Sequence, residues 1–498
     1  MILSLKRICV LSLLVSLAFL TGCPPQRPVK RETNKEPAKI AQTEAPKPAA
    51  EKAPTQPVAQ QPTKPAPQQP AQPAARPQQQ PAPKPEPPKV PPMTPEEEAV
   101  KALVERLNGI PRDEEGNEMP IPELTGNERN TYKSSPARAI NELAINTDVL
   151  ELEDVQLIAK LTGLERLSFT DCRDFTDEYT NELLPLKDSL VFLKIGNGQL
   201  TNNSAEIISE FTNLVELNLE RNSRIQDAAC RHLVKLEKLE RLNLMYTSLT
   251  DTGLLNIRKI PNLQALDIRG CMRIANGGMR NVAMIPNLKS FQHYSNSVTD
   301  DGLEALTAAE NVESLFLQRF RLTDAAGQSL KKFKRLSSLI LFECGEFGSP
   351  GLLELKGMPL NRLTLRGLPK LGIDGFEVFR ELPTLKRLYL IELGAVGDAA
   401  FIPIAELKNL EILEVEVMPG VTDEALKSIA KLQNLRELKI RSTEITNTGL
   451  DEILKLPRLT SLQLLDNARI DEDAAKEKFA KKNYRVLTIG KTRGEVQE

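Results

Sequence analysis

Residues able to do acid–base or metal chemistry are scarce in this chain, which has 2 histidines among 498 residues. His232 falls in a predicted helix and is expected to be solvated. His293 falls at an apolar position of a predicted strand and is expected to be a core side chain with one hydrogen-bond partner. There is no Ser-His-Asp arrangement, metal-ligand spacing, phosphate-binding glycine loop or nucleotide fingerprint. The sequence therefore predicts no enzyme, no catalytic residues, no metal site and no cofactor.

Cysteines and one acidic cluster are the remaining candidates for bond-forming or ligand chemistry. Apart from Cys9 and Cys23, the cysteines are predicted to be small buried residues without disulfides, because the predicted strands that precede three of them lie several repeats apart. These cysteines are Cys172, Cys230, Cys271 and Cys344. The acidic cluster Asp113–Asn117 is predicted as a turn. Calcium binding is the alternative, although the cluster lacks the ligand spacing of an EF-hand.

A phrase of the form Leu-x-x-Leu-x-Leu recurs fourteen times, as in Leu239-Glu-Arg-Leu242-Asn-Leu244, and each copy begins 24 to 26 residues after the last. This period indicates a solenoid, in which each repeat packs on its neighbours. Alternation within the phrase predicts a short strand with positions four and six buried and positions three, five and seven facing the other way. The copies begin at residues 140, 164, 190, 214, 239, 263, 288, 312, 336, 360, 385, 410, 435 and 459, and a half-repeat, Tyr484–Ile489, follows.

After each strand, a recurring Thr-Asp or Thr-Asn pair predicts the start of a helix, with the threonine as N-cap and the acidic residue at the helix's positive end. The threonines are Thr176, Thr201, Thr250, Thr299, Thr323, Thr422 and Thr446. Parallel strands lie ~4.8 Å apart while packed helices need ~8–10 Å, so such a stack bends with its helices outside. The predicted fold is an α/β solenoid, a horseshoe with a parallel sheet on its concave face and helices on its convex face.

The repeat length and the Thr-Asp-x-Gly-Leu phrase at Thr250–Leu254 and Thr299–Leu303 resemble the leucine-rich-repeat family. Within that family they look like the cysteine-containing subclass, close to the ribonuclease-inhibitor type. The resemblance covers residues 140–489 and implies the horseshoe fold. The chain departs from the subclass in having cysteine at the ninth position of only three repeats and in having no F-box.

Both ends of the array are predicted to be capped. The capping box Thr94–Glu97 predicts a helix to about Leu107, and Gly126–Pro136 is predicted as loop, so residues 94–139 form a predicted N-terminal cap of a helix plus an irregular segment. Asp471–Lys482 is predicted as the last helix, and residues 490–498 as a polar tail.

Residues 1–22 resemble a bacterial lipoprotein signal peptide, because Lys6-Arg7 precedes an apolar run, Ile8–Leu20, and Thr21-Gly22 leads to Cys23. The resemblance implies cleavage before Cys23, acylation of that residue, and export with a stable membrane anchor. The alternative is an ordinary signal peptide or short membrane anchor with a chance cysteine. Pro24, in place of the Asp that marks inner-membrane retention in some bacteria, favours the outer membrane, with the repeats in the periplasm or at the cell surface.

Residues 23–93 are rich in Pro, Ala, Gln and Lys and are predicted to form a disordered tether. Their net charge is +6 and residues 1–22 add +2, so the chain's total of −2 leaves about −10 for residues 93–498. The tether's charge keeps it soluble, and contact with anionic lipid or cell-wall polymer is the alternative. The acidic repeats have no basic stripe, so nucleic acid is not expected as a partner.

Apolar and basic residues gather at the outward positions of repeats seven to eleven, in a chain with only 6 Tyr, 15 Phe and no Trp. Aromatic residues beside arginines are typical of protein-binding hot spots. The alternatives are that loops or the tether cover these residues, or that the register slips by one. The predicted partner-binding residues are Tyr294, Phe316, Ile340, Phe342, Arg362, Arg366, Arg387, Tyr389 and Ile391.

The sequence therefore predicts a lipid-anchored envelope protein that acts as a protein-interaction scaffold through its concave face. Binding of carbohydrate or cell wall, and a passive structural role, are the alternatives.

Overall fold

The computed structural model describes residues 90–108, 130–135, 138–147 and 149–492. The chain divides into two units, Met1–Pro83 and Lys84–Glu498, and all described residues belong to the second. The predicted signal peptide, Cys23, the tether up to residue 89, the acidic cluster at 113–117 and the last six residues lie outside the described residues. The predicted boundaries between signal, tether, cap and repeats stay predictions.

Sixteen strands, counted among the described residues, form one sheet whose spatial order follows the chain. Every pair from β2 to β16 is parallel, as the repeat predicts. The strands are β1 Thr131–Ser135, β2 Arg138–Asn146, β3 Arg166–Thr170, β4 Phe192–Ile195, β5 Glu216–Asn218, β6 Arg241–Asn243, β7 Ala265–Asp267, β8 Ser290–Tyr294, β9 Ser314–Gln318, β10 Ser338–Phe342, β11 Arg362–Arg366, β12 Arg387–Ile391, β13 Ile412–Glu416, β14 Glu437–Arg441, β15 Ser461–Leu465 and β16 Val486–Gly490.

The strand register is the one that the leucine spacing predicts. Each strand from β3 onward begins at position three of its phrase, and positions four and six are buried in the core from β3 to β15, as for Leu339 and Leu341 of β10. Positions three, five and seven face away from that core. We call the side of the sheet formed by these positions the open face.

Helices in the described residues follow the strands, and most are one or two turns long. They are α1 Pro95–Leu107, α2 Leu152–Ala159, α3 Asp177–Glu182, α4 Asn202–Ile208, α5 Ala229–Leu233, α6 Asp251–Ile257, α7 Asn276–Val282, α8 Asp300–Leu306, α9 Ala326–Lys332, α10 Ser349–Leu353, α11 Phe401–Ile404, α12 Asp423–Ile429, α13 Leu450–Ile453 and α14 Glu472–Phe479, with 3₁₀ helices at Leu184–Leu186, Ile373–Glu381 and Asp398–Ala400. No helix of the described chain is both long and apolar enough to cross a bilayer.

The Thr-Asp pairs do more than start helices. Five of the seven threonines are N-caps as predicted, and Thr201, Thr250 and Thr422 also accept a hydrogen bond from the first turn, as Thr250 does from the Thr252 N–H at 3.2 Å. Thr176 and Thr299 are N-caps without such a bond. Thr323 and Thr446 lie before the N-caps Ala325 and Gly449, so the prediction is wrong for those two. The acidic residue reaches instead into the next repeat: both Asp423 carboxylate oxygens accept from Thr446, at 2.7 Å from its N–H and 2.6 Å from its hydroxyl.

The same carboxylate-to-threonine contact joins several successive repeats into a ladder along the helix side. It recurs at Asp177–Thr201, Asp227–Thr250, Asp300–Thr323 and Asp398–Thr422. Partial burial of Asp177 opposes ionisation, but hydrogen bonds from Ser204 and Thr201 prevail and lower the pKa of Asp177. These aspartates therefore hold neighbouring repeats together.

The residue directly after most strands, at the eighth position, has a left-handed backbone that turns the chain out of the sheet. The residues with this conformation are Asp171, Asn197, Arg221, Tyr246, Gly270, Arg319, Glu343, Gly367, Glu392, Val417, Ser442 and Asp466. Val417, at φ 51°, is β-branched and therefore strained, because its side chain crowds the backbone in this region.

At the N-terminal end, α1 begins at the predicted capping box: the Glu97 N–H donates to Thr94 Oγ1 at 3.2 Å, and the Thr94 N–H donates to Glu97 at 2.9 Å. Glu97 also accepts from the Ile140 N–H at 3.0 Å, which ties the helix to β2. The prediction of a loop over 126–136 is wrong for Thr131–Ser135, which form β1 and pair antiparallel with β2. Its polar sequence lacks apolar alternation, so backbone pairing rather than burial holds it at the sheet edge.

At the other end, α14 lies within the predicted last helix, with Asp471 as its N-cap. The half-repeat forms β16, whose core-position Leu487 is 38% exposed.

Candidate functional site

The nine predicted partner-binding residues all lie on the open face, on the five adjacent strands β8 to β12. All are partly exposed except Arg387, which is exposed, so the register has not slipped and no loop of the described residues covers them. One row, at position five, runs from Phe316 through Ile340 and Thr364 to Tyr389 across paired strands. We call the nine residues the open-face patch. Their role in binding stays a prediction.

Each of four aromatic rings in the patch has an arginine guanidinium over it, at distances typical of cation–π contacts. The guanidinium carbon lies 4.3 Å from the ring centroid for Arg366 and Phe342, and 4.8 Å for Arg362 and Tyr389. Two further arginines complete the set: Arg269 lies 5.2 Å from Phe316, and Arg319 lies 5.2 Å from Tyr294. The arginines restrict the rings, so the patch presents a largely pre-organised surface.

Sequence reasoning missed Arg269 and Arg319 as parts of this surface. Arg269 belongs to the repeat before β8, where the patch begins. Arg319 lies at the left-handed eighth position, which the two-residue alternation does not assign to the open face. Arg319 donates to the Tyr294 hydroxyl at 2.6 Å and pairs with Glu343 at 2.5 Å, which raises the pKa of Arg319. The presence of an arginine one or two repeats away from each aromatic residue is the signal that could have found them.

A shallow polar pocket of about 180 Å³ borders the patch on β5 to β8. The three strands β5 to β7 are short because their last residue bonds to the backbone two residues on. The Asn218 side chain accepts from the Glu220 N–H at 2.9 Å, Asn243 accepts from Met245 N–H at 2.9 Å, and Asp267 accepts from the Arg269 N–H at 3.0 Å. These local bonds end each strand early and leave a depression beside the aromatic rings.

A charged cluster borders the patch on the other side, on β13 and β14. Lys439 contacts both Glu414, at 3.1 Å, and Glu416. Burial and the neighbouring Glu416 carboxylate raise the pKa of Glu414. Burial opposes ionisation of Glu416, but the hydrogen bond with Glu414 and the positive charges of Lys439 and Arg441 lower the pKa of Glu416. The open-face patch is thus an apolar and aromatic surface with arginines, and polar surfaces border it on both sides.

The buried histidine and two buried cysteines behave as structural residues. His293 is fully buried, its Nδ1 lies 3.0 Å from the Ile268 carbonyl oxygen, and burial lowers the pKa of His293 to about 4, as expected for a neutral core histidine. Burial raises the pKa of both Cys230 and Cys344 to about 12, which suppresses the nucleophilic thiolate. Within the part of the chain that the structure describes, no group of three or more His, Cys, Asp or Glu residues could hold a metal ion.

All four cysteines outside the first 23 residues are buried, as predicted.

Comparisons with known proteins give one family match and several similar structures. A family model described as "Leucine Rich repeat" matches residues 431–454, which span one period of the array. No curated protein matches the sequence. Among solved structures, an internalin (InlF) from Listeria monocytogenes is similar at 16% identity and TM-score 0.43, covering 70% of this chain and 91% of its own. Rad7 in the yeast Rad7–Elc1 complex structure is similar at 20% identity and TM-score 0.46, covering 63% and 83%. With its parallel strand at each leucine phrase, this chain is similar to leucine-rich-repeat proteins.

Proposed function

We propose that this protein is a lipid-anchored scaffold of the bacterial envelope that binds another protein through the open-face patch. The observation that carries the proposal is the gathering of Phe316, Phe342 and Tyr389 on neighbouring strands, partly exposed, each under an arginine. Rigid aromatic anchors beside arginines supply much of the energy at protein interfaces. The leucine-rich-repeat fold suits this role because it presents a long row of outward positions on one rigid sheet.

The stacking of arginines favours a protein ligand over carbohydrate at this surface. A sugar ring packs flat against an aromatic ring and needs one of its faces free. Arg366 lies over Phe342 and Arg362 over Tyr389, so a sugar would have to displace a guanidinium from each ring or bind the opposite side. A protein partner can instead pack on the ring edges and bond to the arginines.

The envelope location rests on the sequence of the first 23 residues, which resembles a lipoprotein signal ending at Cys23. Two acyl chains or more would anchor the protein stably, while a single chain would not. Replacing Cys23→Ser should abolish incorporation of a labelled palmitate analogue and release the protein from the membrane fraction. Palmitate incorporation that persists in this variant would contradict the proposed anchor.

The binding proposal is tested by capture from an envelope extract with the full chain. The triple variant F316A/F342A/Y389A should lose a protein that the wild type retains. The matched control is Phe192→Ala, since Phe192 is also a partly exposed open-face aromatic residue with an arginine, Arg166, 4.1 Å from its ring, but it lies on β4, outside the patch.

Three outcomes separate the candidate functions. Loss of a captured protein in the triple variant but not in the Phe192 control supports protein binding. Loss of retention on purified cell wall in the same variant instead supports carbohydrate binding. Unchanged behaviour in both assays contradicts both and favours a passive structural role.

A further inference from the structure

Almost every basic side chain at positions three, five and seven of β3 to β15 has an acidic partner on the same face. The pairs include Arg166–Glu142 at 3.6 Å, Lys194–Glu220 at 2.9 Å, Arg241–Glu216 at 2.9 Å, Arg269–Asp267 at 2.6 Å, Arg366–Glu392 at 3.0 Å, Lys439–Glu414 at 3.1 Å and Arg441–Asp466 at 3.0 Å. Among the basic side chains at these positions, only Arg362 and Arg387 form no ion pair with any described residue. The basic side chains of the open face are therefore paired with carboxylates everywhere except at Arg362 and Arg387.

The two unpaired arginines are direct neighbours. Arg362 of β11 and Arg387 of β12 are register partners in the parallel sheet, both at position three. Like charges at adjacent positions of paired strands are destabilising. The fold nevertheless places them side by side, with no carboxylate from a neighbouring repeat between them.

Polar atoms next to the pair also lack partners. The Arg362 Nε and the Thr364 hydroxyl are buried and make no hydrogen bond with the described residues. The Arg362 guanidinium lies 4.8 Å from the Tyr389 ring, which limits its freedom to seek solvent or another acid. A guanidinium held as that of Arg362 is suits bidentate hydrogen bonding to an oxyanion.

We propose that Arg362 and Arg387 bind a carboxylate of an acidic segment in the partner protein. This inference rests on the proposed function and names the chemistry that the partner must bring. The carboxylate would lie at the position-three end of the patch, since the opposite end already carries Glu343 and Glu392, paired with Arg319 and Arg366.

The surroundings of the pair favour a peptide over other anions. Ile340, Tyr389 and Ile391 extend from it across the patch, so an apolar residue beside the acidic one would be buried at the same time. A free phosphate would leave that apolar surface uncovered. The chain's own residues 24–92 carry more Lys and Arg than Glu, and their charge makes them a poor match for two arginines.

The test is selection of a random twelve-residue peptide library, displayed on phage, against the immobilised full chain. Wild-type protein should recover peptides with Asp or Glu next to an apolar residue, and R362Q/R387Q should not. A recovered peptide should bind the double variant at least about tenfold more weakly, and its Asn or Gln twin should bind wild type as weakly. The matched control is Arg241→Gln, because Arg241 already pairs with Glu216.

Each other outcome overturns the inference in a distinguishable way. Recovered peptides without acidic residues, or acidic peptides that bind R362Q/R387Q equally well, refute the carboxylate site but leave the proposed function standing. Peptides that bind wild type and F316A/F342A/Y389A alike contradict both. Binding of polygalacturonate, but of no peptide, in an Arg362-dependent manner assigns the pair to carbohydrate. Should the double variant misfold by circular dichroism, Arg387→Gln alone serves, since Arg387 is exposed.

Discussion

The guanidinium of Arg366 lies over the ring of Phe342, with 4.3 Å between the guanidinium carbon and the ring centroid, and the two residues are register partners on β11 and β10. Arg366 also pairs with Glu392 of the following repeat at 3.0 Å. The guanidinium over the Phe342 ring is therefore itself held in place. A partner that packs on Phe342 meets a side chain with little conformational freedom to lose.

Phe342→Ala should therefore weaken partner binding by about 2 kcal/mol or more, as expected for an aromatic hot spot. The free energy of unfolding should change far less than for a core phenylalanine, because Phe342 is partly exposed. Surface plasmon resonance with the captured partner, and urea unfolding of the variant, measure the two quantities. A loss of binding matched by an equal effect of Phe192→Ala would show that the patch has no special role.

The ladder along the helix side predicts a specific effect on stability. Asp423→Ala should destabilise the protein by about 2–3 kcal/mol, because the N–H and hydroxyl of Thr446 lose a charged acceptor. Asp423→Asn should cost much less. Asn276 already makes the equivalent contact, accepting from the Thr299 N–H at 2.9 Å and donating to its hydroxyl at 2.8 Å. Urea denaturation followed by circular dichroism compares the variants, and equal loss in both would contradict the ladder's role.

His293 predicts a dependence of stability on pH. Its pKa is about 4 in the folded protein, against 6.5 as the ordinary value, so between these values the unfolded chain binds more protons. The free energy of unfolding therefore keeps its full value with respect to His293 above pH 6.5. It falls by about 3 kcal/mol as the pH falls from 6.5 toward 4.

His293→Leu should flatten this part of the profile, because Ile268 and Leu317 occupy the same strand position in the adjacent repeats. His232→Leu is the control, since His232 is only partly buried. Unfolding free energies measured by urea titration at several pH values test the prediction. An unchanged slope in His293→Leu would assign the pH dependence to other groups.

Much of the fold was predictable because the leucine phrase determines both the strand and its register. Phe316 and Tyr389 could be assigned to the same face without coordinates, since two-residue alternation fixes which side each occupies. The early ends of β5 to β7 could not be predicted in this way, because Asn218 and Asn243 bond to their own backbone, which the apolar pattern does not record. The unpaired state of Arg362 also escaped prediction, since it depends on where carboxylates of neighbouring repeats point.

Val417 predicts a stabilising substitution. It is the one β-branched residue among the described non-glycine residues with positive φ, at 51°, and its side chain is 43% exposed. Val417→Asn should raise the free energy of unfolding by about 0.5–1 kcal/mol, because asparagine tolerates the left-handed region at lower cost. Val417→Thr keeps the branch at Cβ and should give no gain. A gain in both variants would point to polarity rather than backbone strain.

The carboxylate ladder also gives the array a direction. Asp300 is satisfied by Thr323 and Asp398 by Thr422, in each case by the repeat that comes later in the chain. A cut between two such repeats would strand an acceptor on the earlier side and leave its former donors exposed on the later side. Whole units of 24 to 26 residues can therefore be inserted or removed with every carboxylate-to-threonine contact kept, while a partial unit cannot. Lengthening of this protein by duplication is thus restricted to integral repeats.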